Sequence, residues 1–144
     1  MATFEVILPT DIEKDIKFLE KNFEKIFGGM TKAGAEVAYN NLLGNLPVSL
    51  KSSDFRNCLY LSRTYRTPSD GAINNKVGIY GYFTNKNGKR APAPLVANMF
   101  EFGSRKKEYP YSPFFRRSFN KYQIEQAMKK AQTKLSGGLL KWTN

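Results

Sequence analysis

The sequence predicts an α+β domain, an antiparallel sheet packed against an N-terminal amphipathic helix and a C-terminal helix, within a single domain over residues 1–144. Three observations predict it. Apolar residues recur at helical spacing through the first third, β-branched and aromatic runs separated by turn signals fill the middle, and a second helical stripe closes the chain. A chain of 144 residues with 41% hydrophobic and 14% aromatic content can bury one core.

Phe4–Leu8 reads as a short strand, and Pro9-Thr10-Asp11 as a helix start with Thr10 as cap and Glu13 as its box partner. Ile12, Ile16, Leu19, Phe23, Ile26, Met30, Ala33 and Val37 then follow at alternating spacings of four and three. Their phase persists through Gly28-Gly29, where two interior glycines cost about 1 kcal/mol each relative to Ala and predict a kink. The retained phase predicts that both halves lie against one surface, the protein's own sheet rather than an oligomer interface.

A polar loop runs through Pro47 to Asp54. Cys58–Arg66 and Val77–Phe83 read as an antiparallel pair of strands, the first ending at the turn Thr67-Pro68-Ser69-Asp70-Gly71. Val77, Ile79 and Phe83 fall on one face of the second run, with Tyr80 and Tyr82 on the other. Asn87-Gly88 marks a turn inside a basic loop, Lys86–Pro94. Leu95–Phe102 reads as a short helix stopped by Gly103. Ser112-Pro113 opens a final helix whose stripe of Ile124, Met128, Ala131 and Leu135 is predicted buried, with Gly137-Gly138 closing it.

Charge is unevenly placed. The net value is +11, but residues 1–50 hold five Lys against seven Asp or Glu, and residues 51–144 hold eighteen basic against five acidic residues. The surplus therefore lies wholly after residue 50 and predicts a surface for polyanions or acidic partners. Without His, the commonest general base and metal ligand are missing, and a single Cys builds neither a disulfide nor a zinc knuckle. Gly28–Gly34 lacks the ending of a phosphate loop and follows no strand. Glu101, between Phe100 and Phe102 with Arg105 four residues on, has no second acid beside it in sequence and reads as a structural ion pair. The sequence thus predicts no catalysis and no cofactor or metal. The start carries no signal-peptide pattern and no stretch is apolar enough for a membrane span, which predicts a protein made in a reducing cytoplasm.

Lys86, Lys89, Arg90, Arg105, Lys106, Lys107, Arg116 and Arg117 alternate with Tyr and Phe, a pattern that can hold phosphates and stack bases without sequence preference. Aromatics beside Pro and Arg also serve as anchors of protein interfaces. The residues alone leave both readings open, non-specific nucleic-acid binding and protein assembly.

The run Met99-Phe100-Glu101-Phe102-Gly103-Ser104, a basic loop, and Tyr109-Pro110-Tyr111-Ser112-Pro113-Phe114-Phe115-Arg116 opening a last helix resembles the tail-component family of tailed bacteriophages. Its pattern is an apolar residue, Glu, a variable or aromatic residue, Gly, and Ser or Thr, then Pro-x-x-Pro-Phe after a loop. The N-terminal helix, the small residues Ala33, Gly34, Ala35 and Ala38, and Pro47 match the family layout, whereas the Thr-Gly-x-Leu usual after that Pro is replaced by Val48–Phe55. The resemblance implies a structural virion protein of the neck, at the head-to-tail junction, assembled as a homo-oligomeric ring, hexamer or dodecamer. Its implied partners are neighbouring connector, stopper, terminator or tail proteins. The motif then supplies interface candidates, Phe100, Glu101, Phe102, Tyr109, Pro113, Phe114 and Phe115. Lys86, Lys89, Arg90, Arg105, Lys106 and Lys107 are candidates to face DNA in the ring lumen or an acidic neighbour.

Overall fold

The computed structural model describes residues 10–51, 53–105 and 109–137. The Phe4–Leu8 strand, the capping side chain of Thr10, Lys106, Lys107 and Gly138 lie outside what it describes. The first third forms two helices, α1 (Thr10–Lys21) and α2 (Phe23–Asn45), separated by Asn22 alone. The predicted kink at Gly28-Gly29 is thus misplaced. The break falls at Asn22, whose backbone leaves the helical range at φ −105° and ψ 12° while its side-chain amide shares the Phe18 carbonyl with its own N–H, at 2.8 and 3.0 Å. Gly28 and Gly29 stay inside a continuous helix because tertiary contact outweighs their poor propensity. A side chain at Gly29 would run into Leu135, and one at Gly28 would reach Thr64 at 3.4 Å.

The predicted seam also divides. In α2 the buried stripe runs Ile26, Met30, Gly34, Ala38, Leu42, a spacing of four, and Leu46 continues it past the helix end. Ala33 and Val37 are only half-buried. In α1, by contrast, Ile12 and Ile16 remain exposed, so the two halves do not share one surface.

The strands form three short antiparallel ladders. β1 (Leu59–Leu61) pairs with β4 (Val77–Ile79), Leu59 opposite Ile79, as the sequence predicts for this part of the two runs. Each run is shorter than predicted. β2 (Tyr65–Arg66) pairs instead with β3 (Ile73–Asn74) across the Pro68–Gly71 turn. β5 (Tyr82–Thr84) pairs with β6 (Arg90–Pro92) across Asn87-Gly88. The second run breaks at Gly81, whose φ of +85° turns the chain out of the first ladder into the third. The predicted faces hold, with Phe83 buried and Tyr80 and Tyr82 exposed. Within the predicted loop, α3 (Val48–Lys51) and a 3-10 helix (Asp54–Cys58) carry Leu50 and Phe55 inward.

After β6 come α4 (Ala93–Phe102), α5 (Phe114–Ser118) and α6 (Lys121–Leu135). The predicted single last helix is therefore two. The chain turns at Phe119-Asn120, where the Asn120 carboxamide caps α6 by accepting from the Gln123 N–H at 3.0 Å. α6 lies along α2, its Ile124, Met128 and Leu135 facing the glycines of that helix, half-buried rather than buried. Asn41 and Asn45 tie α2 to this corner, Asn41 donating to the Ser118 carbonyl at 3.0 Å and to Gln123 at 2.8 Å, and Asn45 donating to the buried Ser118 hydroxyl at 3.3 Å.

One core joins these parts. Leu42, Leu46, Leu50, Phe55, Phe83, Val96, Phe100 and Phe114 pack together. Their rings meet edge to face, Phe55 with Phe83 at 5.1 Å and Phe100 with Phe114 at 6.4 Å between centroids.

Candidate assembly site

The motif stretch is built from two segments that close on each other. α4 ends at Gly103, whose φ of +88° needs a residue without a side chain and sends the chain away from the helix axis. The chain returns at Tyr109 and runs back along α4. There the Ser112 N–H donates to the Phe100 carbonyl at 2.7 Å.

Glu101 sits at the centre of this return. Its side chain is 8% exposed, and one carboxylate oxygen accepts from the Phe115 N–H at the start of α5. The other accepts from the Arg116 Nε at 3.2 Å, while the Arg116 guanidinium also donates to the Glu101 backbone carbonyl at 2.6 Å. That guanidinium lies over the Phe102 ring, 5.4 Å from its centroid. The arrangement is a clamp that docks the first turn of α5 on the last turn of α4. Its ion pair is made with Arg116, not with Arg105, because the returning segment brings Arg116 beside the carboxylate. With both oxygens engaged, Glu101 holds architecture.

The interface candidates divide accordingly. Phe100, Glu101, Tyr109, Pro113 and Phe114 are buried in the subunit, which corrects their assignment to its surface. An aromatic beside Pro reads alike in sequence whether it anchors a core or an interface. Phe102 is 74% exposed and Phe115 is half-buried. These two line a groove of about 450 Å³ between α4 and α5, with Ile79, Pro94, Ala97 and Arg116 in its walls.

A larger groove, about 720 Å³, opens on the other side of the motif, with Leu46, Leu50, Phe83 and Phe100 beneath it and Lys86 and Tyr109 among its lining residues. Lys86, Lys89 and Arg90 are exposed on the β5–β6 hairpin, and Arg105 is exposed after α4. Lys86 on the hairpin and Tyr109 and Pro110 on the returning segment thus line one groove, an adjacency the sequence spacing does not give. The hairpin tip is held by Asn85, whose carboxamide oxygen accepts from the Asn87 and Lys89 N–H groups, both at 3.0 Å.

Cys58 is buried and donates its thiol hydrogen to the Tyr82 carbonyl at 3.4 Å. Burial, with Asp54 adding to it and Arg90 opposing, raises the thiol above its ordinary value, so it is a packing group and a poor nucleophile. Among the described residues no three or more Cys, Asp or Glu gather as a metal site, and no helix is long and apolar enough to cross a membrane. No protein-family model matches the chain, and neither does any curated protein or solved structure.

Proposed function

We propose that the protein is a structural virion component of a tailed phage, acting at the neck as a ring at the head-to-tail junction and doing no chemistry of its own. The observation that carries this reading is the clamp. The residues on which the family resemblance rests, Glu101 and the Pro113–Arg116 segment, are the residues that lock α4 to α5. The motif is therefore an architectural one, and its outcome is to hold Phe102 and Phe115 in fixed positions at a groove.

A closed ring needs two unlike, complementary patches on each subunit. The acid-leaning N-terminal third and the basic remainder supply unlike patches. The β5–β6 hairpin, with Lys86, Lys89 and Arg90, is placed by this reading toward the passing genome or an acidic neighbouring ring, contacts that need no sequence readout. The protein is made in the bacterial host cytoplasm and is retained in the virion, beside connector, stopper, terminator or tail proteins.

The test is a phage deleted for this gene. Filled heads and complete tails that fail to join, with joining restored by the purified protein, are expected; normal virions without the gene product would reject the reading. If the purified chain instead stays monomeric and binds DNA with steep salt dependence, non-specific nucleic-acid binding replaces it.

A further inference from the structure

The outer edge of β4 carries backbone groups with nothing to bond to. In the β1–β4 ladder the Tyr80 N–H donates to the Cys58 carbonyl at 3.0 Å and the Ser62 N–H to the Lys76 carbonyl at 2.8 Å, with Gly78 opposite Tyr60 between them. Residues 76, 78 and 80 therefore bond inward to β1, and the alternation of an antiparallel ladder turns the N–H and C=O groups of Val77 and Ile79 to the other side. None of those four groups has a hydrogen-bond partner among the described residues.

The β5–β6 ladder finishes its edges differently. On the outer side of β5 the Thr84 N–H donates to the Asp54 carboxylate at 2.9 Å and the Tyr82 carbonyl accepts from the Cys58 thiol. On β6 the outward residues are Arg90 and Pro92, a cation and a residue without an N–H, two devices that keep other strands off an edge. Val77-Gly78-Ile79 has neither. Its side chains are half-buried and uncharged, and a row of free backbone donors and acceptors is matched by another extended strand.

The chain contains a segment of that kind. Nine residues precede Thr10 outside the described part, and among them Phe4–Leu8 is the strand that the sequence predicts. Five extended residues span about 17 Å, enough to cover the roughly 10 Å of β4. They are joined to the body by α1, in which every residue from Ile12 to Lys21 is exposed except the half-buried Leu19. The main neighbour of α1 in its own subunit is α2, so this helix, about 18 Å long, does not lead the segment back over β4. We propose that Phe4–Leu8 of one copy adds as a strand to the β4 edge of a second copy. The contact is head-to-tail, so each subunit keeps a free strand at one end and a free edge at the other, and repetition closes a ring. This inference rests on the ring reading above and names the contact that builds the ring.

The test removes backbone donors from the full chain. Val77→Pro takes away an outward N–H that the β1–β4 ladder does not use, and Val6→Pro with Ile7→Pro takes one from the segment in either register. Each variant alone is expected to need more than about tenfold higher concentration than the parent chain for assembly, read by sedimentation velocity, with circular dichroism unchanged. Mixed together, they are expected to form a dimer and stop, because one intact strand and one intact edge remain. A free peptide of residues 3–9 is expected to dissociate parent assemblies, and the same peptide N-methylated at Val6 and Ile7 to leave them intact. Amide exchange at Val77 and Ile79 is expected to slow on assembly of the parent chain, a readout that needs no substitution in β4. If those amides exchange equally fast in rings and monomers, or if Val77→Pro assembles as well as the parent does, the edge is unused and the proposal is overturned. Loss of assembly in Val77→Pro alone, with the Val6→Pro and Ile7→Pro chain unaffected, overturns Phe4–Leu8 as the occupant. Rings that form unchanged in every variant overturn the strand addition while leaving the ring reading in place. A parent chain that stays monomeric to about 1 mM overturns both.

Discussion

Glu101 shows how one residue converts a motif into a structure. Its carboxylate is buried while its partner Arg116 is 55% exposed, so the two ends of the ion pair are not equivalent. Removing the carboxylate leaves the Phe115 N–H without an acceptor, and Glu101→Ala is expected to cost about 2–3 kcal/mol in urea unfolding. Arg116→Ala, which frees a solvent-exposed end, is expected to cost about 1 kcal/mol or less. A larger loss for the arginine would mean that cation stacking on Phe102, and not the buried acceptor, holds the clamp. Phe114→Ala removes a core ring and is expected to cost about 3–5 kcal/mol, so it reports on folding before assembly.

At Cys58 the sign of the pH effect follows from burial. The thiol is raised in the folded chain, first by burial and then by Asp54, against the opposing Arg90. Over the ordinary thiol range and above it, the folded state keeps a proton that the unfolded state has lost. The folded state then binds the more protons, and stability falls as pH rises. The urea midpoint of the parent chain is expected to drop more steeply than that of Cys58→Ala between about pH 8 and 10. Parallel curves for the two would show that the thiol does not titrate differently on folding.

At the scale of elements, the packing of α6 on α2 depends on a missing side chain. A methyl group at Gly34 would stand 3.1 Å from Ile124 and 3.2 Å from Met128, whereas one at Gly44 would meet nothing within 4 Å. Gly34→Ala is expected to lose about 1–2 kcal/mol despite its better helix propensity, and Gly44→Ala to gain about 0.5 kcal/mol, compared by thermal unfolding. If both gain equally, α6 moves freely over α2 and the glycine sets no spacing. Here the pattern of the sequence was partly legible. Ile26 and Met30 read correctly as one inward face, but the exchange of Ala33 and Val37 for Gly34 and Ala38 was not legible, because which small residue faces inward depends on how closely a second helix approaches. The split at Asn120 has a readable signal in hindsight, an Asn preceding a helical stripe, masked by the stronger Ser112-Pro113 pattern.

For the whole molecule, charge and burial divide the candidate residues into two groups. Phe100, Tyr109 and Phe114 hold the core, while Lys86, Lys89 and Arg90 stand exposed on one hairpin. Replacing these three cations by Ser is expected to change stability by less than about 0.5 kcal/mol and, under the proposed neck function, to lower the yield of joined virions. An unchanged yield would mean that the hairpin confers solubility only. The motif was legible as a motif, and its Glu as an ion-pair partner. Its inward direction was not, since the aromatic and Pro composition of a core and of an interface is the same.

The sequence by itself determined the α+β class, the asymmetry of charge about residue 50, the order of helices and strand runs, and the two turns at Gly71 and Gly88, because these follow from periodicity and local backbone chemistry. Tertiary structure alone decided that the helix runs on through Gly28-Gly29, which of the motif's aromatics are buried, and that Arg116 rather than Arg105 meets Glu101. Those outcomes depend on contacts between residues far apart in the chain. Local propensity costs at most about 1 kcal/mol per residue there, and the packing of a neighbouring element exceeds it.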